Sequence, residues 1–193
     1  MADLVEHIEQ YCGKIRGGWA LDENGDKAPF QVIQTEGGPN PEAQTICTLG
    51  LSNFRLASRQ TEKSIRHELL LLLRKNLEPS NLPALVQQVG LEALTRGSAY
   101  LRGEVLGPRT SLTENSTTAA FYVAQPVYFP DGFHSFTRDD GEQVVFAWLA
   151  PITTVEAKFI AKHGWEHFED ELLKQNPDLI DFNRSSMLFA NRV

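Results

Sequence analysis

A His-Glu pair, His67 and Glu68, directly precedes five consecutive leucines and raises two chemical possibilities. A zinc-protease helix needs a second histidine one turn after the first, so that both imidazoles face one metal ion. That position is Leu71, which cannot ligate a metal ion. The leucine run is also far shorter than the roughly 20 apolar residues that cross a membrane. The segment is therefore predicted to be a short buried element, either a strand covered on both faces or part of a core helix.

A second pair of candidate ligands, His163 and His167, lies one helical turn apart with Glu166 between them. Metal sites use this spacing. However, Gly164 is predicted to end a helix between the two histidines, and no third ligand lies nearby. The sequence also lacks a nucleophile elbow, a phosphate loop and a dinucleotide fingerprint. The pair is therefore interpreted as part of a corner between two helices, and no metal ion, cofactor or catalytic residue is predicted.

Three aspartates, Asp131, Asp139 and Asp140, could pair their carboxylates for acid–base chemistry. Each lies in or beside an Asp-Gly dipeptide, where an aspartate usually bonds the local backbone of a turn. The turn role is the favoured interpretation.

The environment of Glu68 decides whether it has a chemical role. If its carboxylate is buried beside the leucines, it must be paired or its pKa must rise. If it lies at the mouth of a strand, water or a neighbouring arginine can solvate it. An enzyme would need Glu68, His67 and Asp181 together in a cleft, a grouping that rests on residue type alone.

The composition of the 193 residues is that of an ordinary globular protein with an acidic surface. The 25 acidic residues outnumber the 18 lysines and arginines, which gives a net charge of −7. No basic stripe indicates a nucleic-acid ligand, and an acidic surface favours a basic partner. The first residues lack the pattern of a secretion signal, and the two cysteines lie in no redox or metal motif. A cytoplasmic protein without a membrane span is predicted.

Hydrophobic periodicity and turn residues predict a single α+β domain over residues 1–193. A helix is predicted over residues 1–16, capped by Asp3 and ended by Gly17 and Gly18. The other predicted elements are the strands FQVIQT and QTICTLGL, the leucine-rich segment, the helix LPALVQQVGLEAL ending near Gly97, the strands AAFYVAQPVYFP and EQVVFAWLAPI, a helix with a capping box at Thr153 and Glu156, and a last helix with an apolar face of Trp165, Phe168, Leu172 and Leu173.

Five stretches, in this order, match the pattern of one known family. They are TLGLSNFRL at 48–56, the Glu-Leu pair that opens the leucine run, the helix LPALVQQVGLEAL that follows it, the block VVFAWLAPITTVEAKFIAKHGWEHFEDELL at 144–173, and the Asp-x-x-Arg ending at Asp181 and Arg184. Together they resemble the suppressor of fused (SUFU) domain family over residues 30–187. The resemblance implies that the leucine run is a central strand in a mixed, mostly antiparallel sheet flanked by helices.

The resemblance also implies a binding fold without catalytic residues. In animals the family clamps an extended peptide by strand addition, and short bacterial members resemble immunity proteins that neutralise toxins. The first hypothesis is therefore an immunity protein, and the alternative is a regulatory or scaffold protein that binds an extended peptide. The family's tyrosine after Gly-Leu-Ser is replaced by residues 53–55, so peptide specificity is not transferred. Trp148 and Trp165 could be exposed anchors, but core packing is favoured for both.

The predicted docking site for a protein partner is the segment Tyr122–Tyr128 of the strand FYVAQPVYF, together with the adjacent loop PDGFHSF. Pro126 cannot donate to a strand ladder, so it implies an edge or a bulge where a partner strand could add. Aspartates beside the strand would steer a basic partner, and Phe133 or Phe136 would be the apolar anchor. The predicted partner-binding residues are Tyr122, Tyr128, Asp131, Phe133, Phe136, Asp139 and Asp140. In the alternative interpretation, the chain's own loop at 100–118 covers this edge.

Overall fold

The computed structural model describes residues 3–22, 24–37, 41–108 and 111–189. These residues form both helices and strands. In chain order the elements are α1 Leu4–Cys12, β1 Gly13–Leu21, β2 Lys27–Gly37, β3 Ala43–Leu49, β4 Leu56–Ala57, β5 Ser64–Arg74, α2 Leu82–Arg96, β6 Val105–Leu106, β7 Thr118–Ala124, β8 Ser135–Thr137, β9 Gln143–Thr153, α3 Thr154–His163 and α4 Trp165–Gln175. Two short 3₁₀ turns, Leu51–Asn53 and Asp131–Phe133, lie between strands.

The strands form one mixed sheet in the order β1-β2-β3-β5-β9-β7-β6, with β4 beside β5 and β8 beside β9. Only the central pair, β5 and β9, is parallel among the described strands, with Glu68 opposite Phe146 and Leu70 opposite Trp148. All the other pairs are antiparallel. This topology confirms the predicted α+β fold with a mixed, mostly antiparallel sheet.

The leucine run is the central strand β5, as the family resemblance implied. Leu69, Leu71 and Leu73 pack on one face of the sheet, whereas Leu70 and Leu72 pack on the other. Because both faces are covered, the strand needs no alternation of apolar and polar residues. Burial on two faces thus overrides the weak strand preference of leucine.

Helices cover the two faces of the sheet. Val86 and Val89 of α2 pack with the odd-numbered leucines, whereas Ile8 of α1, Ile160 of α3 and Phe168 of α4 belong to the core on the opposite face. In the described ranges, no helix combines the length and apolar character that a membrane span requires.

The predicted helix boundaries are largely confirmed by their caps. Thr153 and Glu156 form the predicted capping box at the start of α3, and Asp3 caps α1 with the help of Glu6. Gly97, in the left-handed conformation, ends α2 as predicted.

The predicted N-terminal helix over 1–16 is too long. The helix ends at Cys12 and the chain enters β1 directly at Gly13, whose φ of 85° breaks the helical repeat. Ile15 therefore pairs with Thr35 of β2 instead of lying on a helix face. Residues 1 and 2 of the predicted helix lie outside the described residues.

The two ends of the sheet differ in what lies along them. Among the described strands, β1 pairs with β2 alone and its register shifts twice. The Glu9 carboxylate accepts the Ile15 N–H at 3.1 Å. At the other end, residues 103–106, which we call the strap, lie along β7.

Candidate functional site

A groove opens between β7, the turn at 125–128 and α4; we call it the β7–α4 groove. Its volume is about 430 Å³. Trp148 and Ala150 of β9 line it from the sheet and are buried. Val127 is 66% exposed and Leu173 is 84% exposed, so apolar side chains from the turn and from α4 face solvent at this groove. Exposed apolar side chains around a concave site are typical of a surface that binds another molecule.

A charged cluster of three side chains lies at the same groove. Arg102 makes a two-pronged ion pair with Glu169, and the Tyr122 hydroxyl donates to Glu169 Oε1 at 2.7 Å. Burial opposes ionisation of Glu169, but these two donors outweigh it and lower the pKa of its carboxyl. Burial and the adjacent carboxylate raise the pKa of Tyr122. An ionised Glu169 and a neutral Tyr122 fix the wall of the groove without offering a base of intermediate pKa.

The indole N–H of Trp148 is buried and has no hydrogen-bond acceptor in the part of the chain that the structure describes. The ring of Tyr128 packs edge-on against the Trp148 ring at a centroid distance of 5.3 Å. Tyr128 is itself 38% exposed at the groove. Trp148 is thus a core residue, as favoured from the sequence, but its indole donor is left unpaired among the described residues.

The structure divides the predicted partner-binding residues between two surfaces. Tyr122 and Tyr128 line the β7–α4 groove. Phe136, Asp139 and Asp140 line a different concave surface, with a volume of about 640 Å³, near the start of α1. The predicted set therefore does not form one continuous site.

The predicted apolar anchors are part of the core. Phe133 is fully buried and stacks on Phe146 at a ring-centroid distance of 4.4 Å. Phe136 and Tyr122 are also buried. Anchoring a partner requires an exposed ring, which neither Phe133 nor Phe136 presents. Asp131 begins the 3₁₀ turn that leads into Phe133.

The predicted open edge beside Pro126 is wrong. β7 ends at Ala124, and Pro126 lies in the following turn, where its carbonyl accepts the Phe129 N–H at 2.9 Å. The edge of β7 is occupied by the strap, whose Glu104 carbonyl accepts the Val123 N–H at 2.9 Å. The alternative interpretation, in which the chain's own loop covers this edge, is confirmed.

Glu68 is fully buried and bonds the loop that follows β3. Its carboxylate accepts the Thr48 hydroxyl at 2.5 Å and the N–H groups of Gly50 and Ser52 at 2.9 and 3.0 Å. Burial raises the pKa of Glu68, and these bonds oppose that rise only in part. Gly50, at a φ of 100°, lets the chain turn back on the carboxylate. Glu68 therefore organises the Gly-Leu-Ser segment, and its resemblance to the family pattern has a structural cause.

The catalytic grouping of His67, Glu68 and Asp181 is not supported by their surroundings. His67 and Glu68 have no exposed surface, and adjacent residues of a strand point to opposite faces. His67 stacks near Tyr100, and Asp181 accepts the Asn183 N–H of its own loop at 2.9 Å. Burial lowers the pKa of His67 to about 4, so the imidazole is neutral near pH 7.

The Asp-x-x-Arg ending of the chain closes onto α3. Arg184 donates to both oxygens of Glu156, at 2.6 and 2.7 Å, and to the Pro151 carbonyl at 3.1 Å. The Met187 N–H also donates to Glu156 at 3.0 Å. Burial opposes ionisation of Glu156, but Arg184 reverses the effect and lowers the pKa of the carboxyl. This buried pair fixes the C-terminal segment against the domain.

The histidine pair of the HGWEH segment lies at a corner between two helices, as predicted. His163 ends α3, and Gly164, with a φ of 87°, separates it from α4, which carries His167. Within the described ranges, no three His, Cys, Asp or Glu side chains are arranged to hold a metal ion.

Only some of the residues that line the groove could be predicted from the sequence. Leu173 lies on the predicted apolar face of the last helix but is exposed. Phe168 and Leu172 make the contacts of this helix with the core. Val127 was predicted to lie in a strand, but it lies in the turn that follows β7. The Glu169–Arg102 pair joins residues far apart in the sequence, and no spacing signal predicts it.

Comparison with known proteins agrees with the sequence resemblance. The model of the family described as "Suppressor of fused protein (SUFU)" matches residues 26–185. No curated protein sequence is a significant match to this chain.

Several solved structures have a similar fold. A protein from Neisseria gonorrhoeae FA 1090, described as a SUFU homolog, superposes with a TM-score of 0.69 and 21% identity, covering 95% of this chain and 94% of its own. The Sufu–Fu complex gives a TM-score of 0.67 and 16% identity over 95% of this chain and 88% of the other. Drosophila Suppressor of Fused gives 0.56 and 15%, over 83% of this chain and 42% of the other. At these identities the likeness establishes the fold.

Proposed function

Because this chain belongs to the suppressor of fused family, we propose that it is a non-catalytic protein-binding domain that serves in the cytoplasm as a bacterial immunity protein. In this role it neutralises a toxin by binding it and covering the toxin's active surface. The proposal rests above all on the β7–α4 groove, where exposed Val127 and Leu173 surround a buried tryptophan. One similar structure is itself a protein complex, that of Sufu with Fu.

The burial or pairing of the three ionisable residues considered above as catalytic candidates or groove residues favours binding over catalysis. His67 and Glu68 are sealed in the core, and Glu169 is held by Arg102 and Tyr122. Catalysis needs a titratable group within reach of a substrate. The groove instead offers apolar area, which is what the centre of a protein interface provides.

The acidic residues of the second surface would assist encounter with a basic toxin. Asp139 and Asp140 are exposed, and Asp140 Oδ1 also accepts the Glu142 N–H at 3.0 Å within its turn. Charges at the rim of an interface mainly raise the association rate. These two residues thus retain the predicted steering role, apart from the apolar groove.

The immunity proposal is tested by capture followed by a growth assay. The tagged chain is used to capture a partner from its native host, and that partner is then expressed alone and together with the chain. We expect the partner to stop growth alone and the chain to restore it. A Val127→Ser/Leu173→Ser variant, which removes apolar area from the groove, should bind and protect less than a Val155→Ser control, which alters an exposed valine on α3.

Two results would contradict this function. Repeated capture without any protein partner would argue against a binding domain. A partner that is harmless when expressed alone would argue against immunity while leaving binding intact.

Strand addition to β7 remains a second candidate with a specific structural requirement. The strap already bonds Val123 through Glu104 and Gly103, so an incoming peptide must first displace it. Hydrogen exchange would report this displacement, because a partner that replaces the strap would leave residues 103–106 less protected while Val123 stays protected. Unchanged protection of the strap in the complex would exclude this mode.

A further inference from the structure

Resting on the protein-binding function proposed above, we infer that the β7–α4 groove recognises one kind of segment. That segment presents a bulky apolar side chain next to lysine or arginine residues. The apolar side chain enters the groove, and the basic residues meet the carboxylates on the outer face of α4.

The apolar half of this inference follows from the shape and exposure of the groove. A volume of about 430 Å³ is sufficient to admit an aromatic or branched aliphatic side chain. Val127 and Leu173 are exposed at the groove, and Leu172 and Leu179 line it further. Side chains of this type gain most when a partner's ring or branched chain removes them from water.

The basic half follows from two carboxylates on α4 that have no partner. Glu166, Asp170 and Leu173 are four and three residues apart, which places them in one row along the helix. Glu166 and Asp170 are exposed, and within the described residues neither makes an ion pair or side-chain hydrogen bond. Leu173 joins this row to the groove. A segment seated in the groove thus passes two uncompensated negative charges.

A third feature points to an acceptor on the bound segment. The Trp148 indole N–H is buried without an acceptor in the described structure, and Trp148 lines the groove. An unpaired buried donor is destabilising. Movement of the partly exposed Tyr128 ring from its edge-on contact with Trp148 would allow a carbonyl of the segment to reach this donor.

The test uses a displayed library of random dodecapeptides selected on the wild-type chain. We expect the enriched peptides to contain an aromatic or branched aliphatic residue close to two or more lysines or arginines. Synthetic copies of these peptides should bind a Glu166→Lys/Asp170→Lys variant about tenfold more weakly, because attraction becomes repulsion. Selection on that variant should in turn enrich acidic peptides.

Matched variants separate charge from fold. Glu62→Lys/Glu114→Lys makes the same change in net charge at exposed positions that do not line the groove, and it should leave peptide affinity nearly unchanged. Thermal unfolding confirms that each variant is folded. Trp148→Phe keeps an aromatic ring but removes the N–H, and it should weaken peptide binding without altering the preference for basic residues.

The outcomes distinguish this inference from the function on which it rests. Peptides that require Val127 and Leu173 but show no basic preference, and that bind the Glu166→Lys/Asp170→Lys variant normally, would overturn the inference while the binding function stands. A captured partner and peptides that both bind the Val127→Ser/Leu173→Ser variant as tightly as wild type would overturn the groove as the docking site. Failure to enrich any peptide on the folded wild type would also count against the inference.

Discussion

Glu68 and Glu156 are both shielded completely from solvent, yet they are stabilised in opposite ways. Glu68, in the middle of β5, accepts from neutral donors of Thr48 in β3 and of the loop after β3, and no cation pairs with it among the described residues. Glu156, at the start of α3, has the guanidinium of Arg184 on both oxygens. Burial therefore raises the pKa of Glu68, whereas in Glu156 the cation overcomes burial and lowers the pKa. A buried carboxyl held by neutral donors thus has a raised pKa, whereas an adjacent cation lowers the pKa of an equally buried one.

The largest expected effect comes from removing the cation of the paired region. Arg184→Met leaves Glu156 buried without a charged partner, which should lower the free energy of unfolding by about 3–5 kcal/mol. Urea unfolding at neutral pH measures this loss. The loss should shrink in acid, because the lowered pKa of Glu156 contributes stability that disappears as protons bind the folded carboxylate.

A surface pair supplies the control for that prediction. Arg138 lies 3.7 Å from Asp140 with both side chains partly exposed, so Arg138→Met should lower the free energy of unfolding by less than about 1 kcal/mol. Equal losses for the two variants would show that the buried Arg184–Glu156 pair contributes no more to the free energy of unfolding than a surface pair does.

The next effect comes from His67, the neighbour of Glu68. Its folded pKa of about 4 lies below the usual 6.5, so the unfolded chain binds more protons between these values. Stability should therefore fall by about 3 kcal/mol as the pH drops through this window. A His67→Leu variant, compared by urea unfolding at several pH values, should lose most of this dependence. A variant whose pH profile overlays the wild type would contradict the prediction.

A smaller effect, but a sharper comparison, comes from Glu68→Gln and Glu156→Gln. Glu68→Gln should lower the free energy of unfolding by about 1 kcal/mol near neutral pH, because the amide cannot accept all three existing bonds. Its penalty should decrease as pH rises, since the raised pKa makes ionisation of buried Glu68 unfavourable in the folded state. The penalty of Glu156→Gln should increase with pH across its own titration. Parallel slopes for the two variants would remove the distinction between the two regions.

The smallest effect on stability is expected at the groove. Leu173 is 84% exposed, so Leu173→Ser should change the free energy of unfolding by no more than about 0.5 kcal/mol. Thermal unfolding checks this expectation, with Phe168→Ser as the buried counterpart on the same helix. A large destabilisation by Leu173→Ser would mean that this side chain supports the fold and is not free for a partner.

The elements with local signals were predictable from the sequence. The capping box of Thr153 and Glu156 and the glycine that ends α2 are encoded within a few residues, and both predictions are confirmed. The leucine run was ambiguous by itself, because leucine favours helices and only the covering layers make it a strand. The predicted N-terminal helix is too long because the position of Ile15 fits both the apolar spacing of a helix and that of a strand.

The candidate site was harder to predict because it depends on pairs distant in the sequence. Pro126 indicated a strand edge, but no local pattern shows that residues 103–106 return to cover β7. Glu156 was recognised as a cap, whereas its partner Arg184 lies beyond the range of helical spacing. Leu173 was predicted only to lie on the apolar face of the last helix, and hydrophobicity does not distinguish a buried face from a binding face.

The geometry of the outer strand β1 also bears on pairing between two copies of the molecule. An unpaired strand edge can template β-aggregation between copies. Here Glu9 already occupies the Ile15 N–H and pairs with the Lys14 ammonium at 2.6 Å, and the register shifts interrupt a regular ladder. Two copies that approached edge to edge would have to break the bond between Glu9 and Ile15 and match an irregular backbone. Edge-to-edge pairing of two copies through β1 is therefore disfavoured.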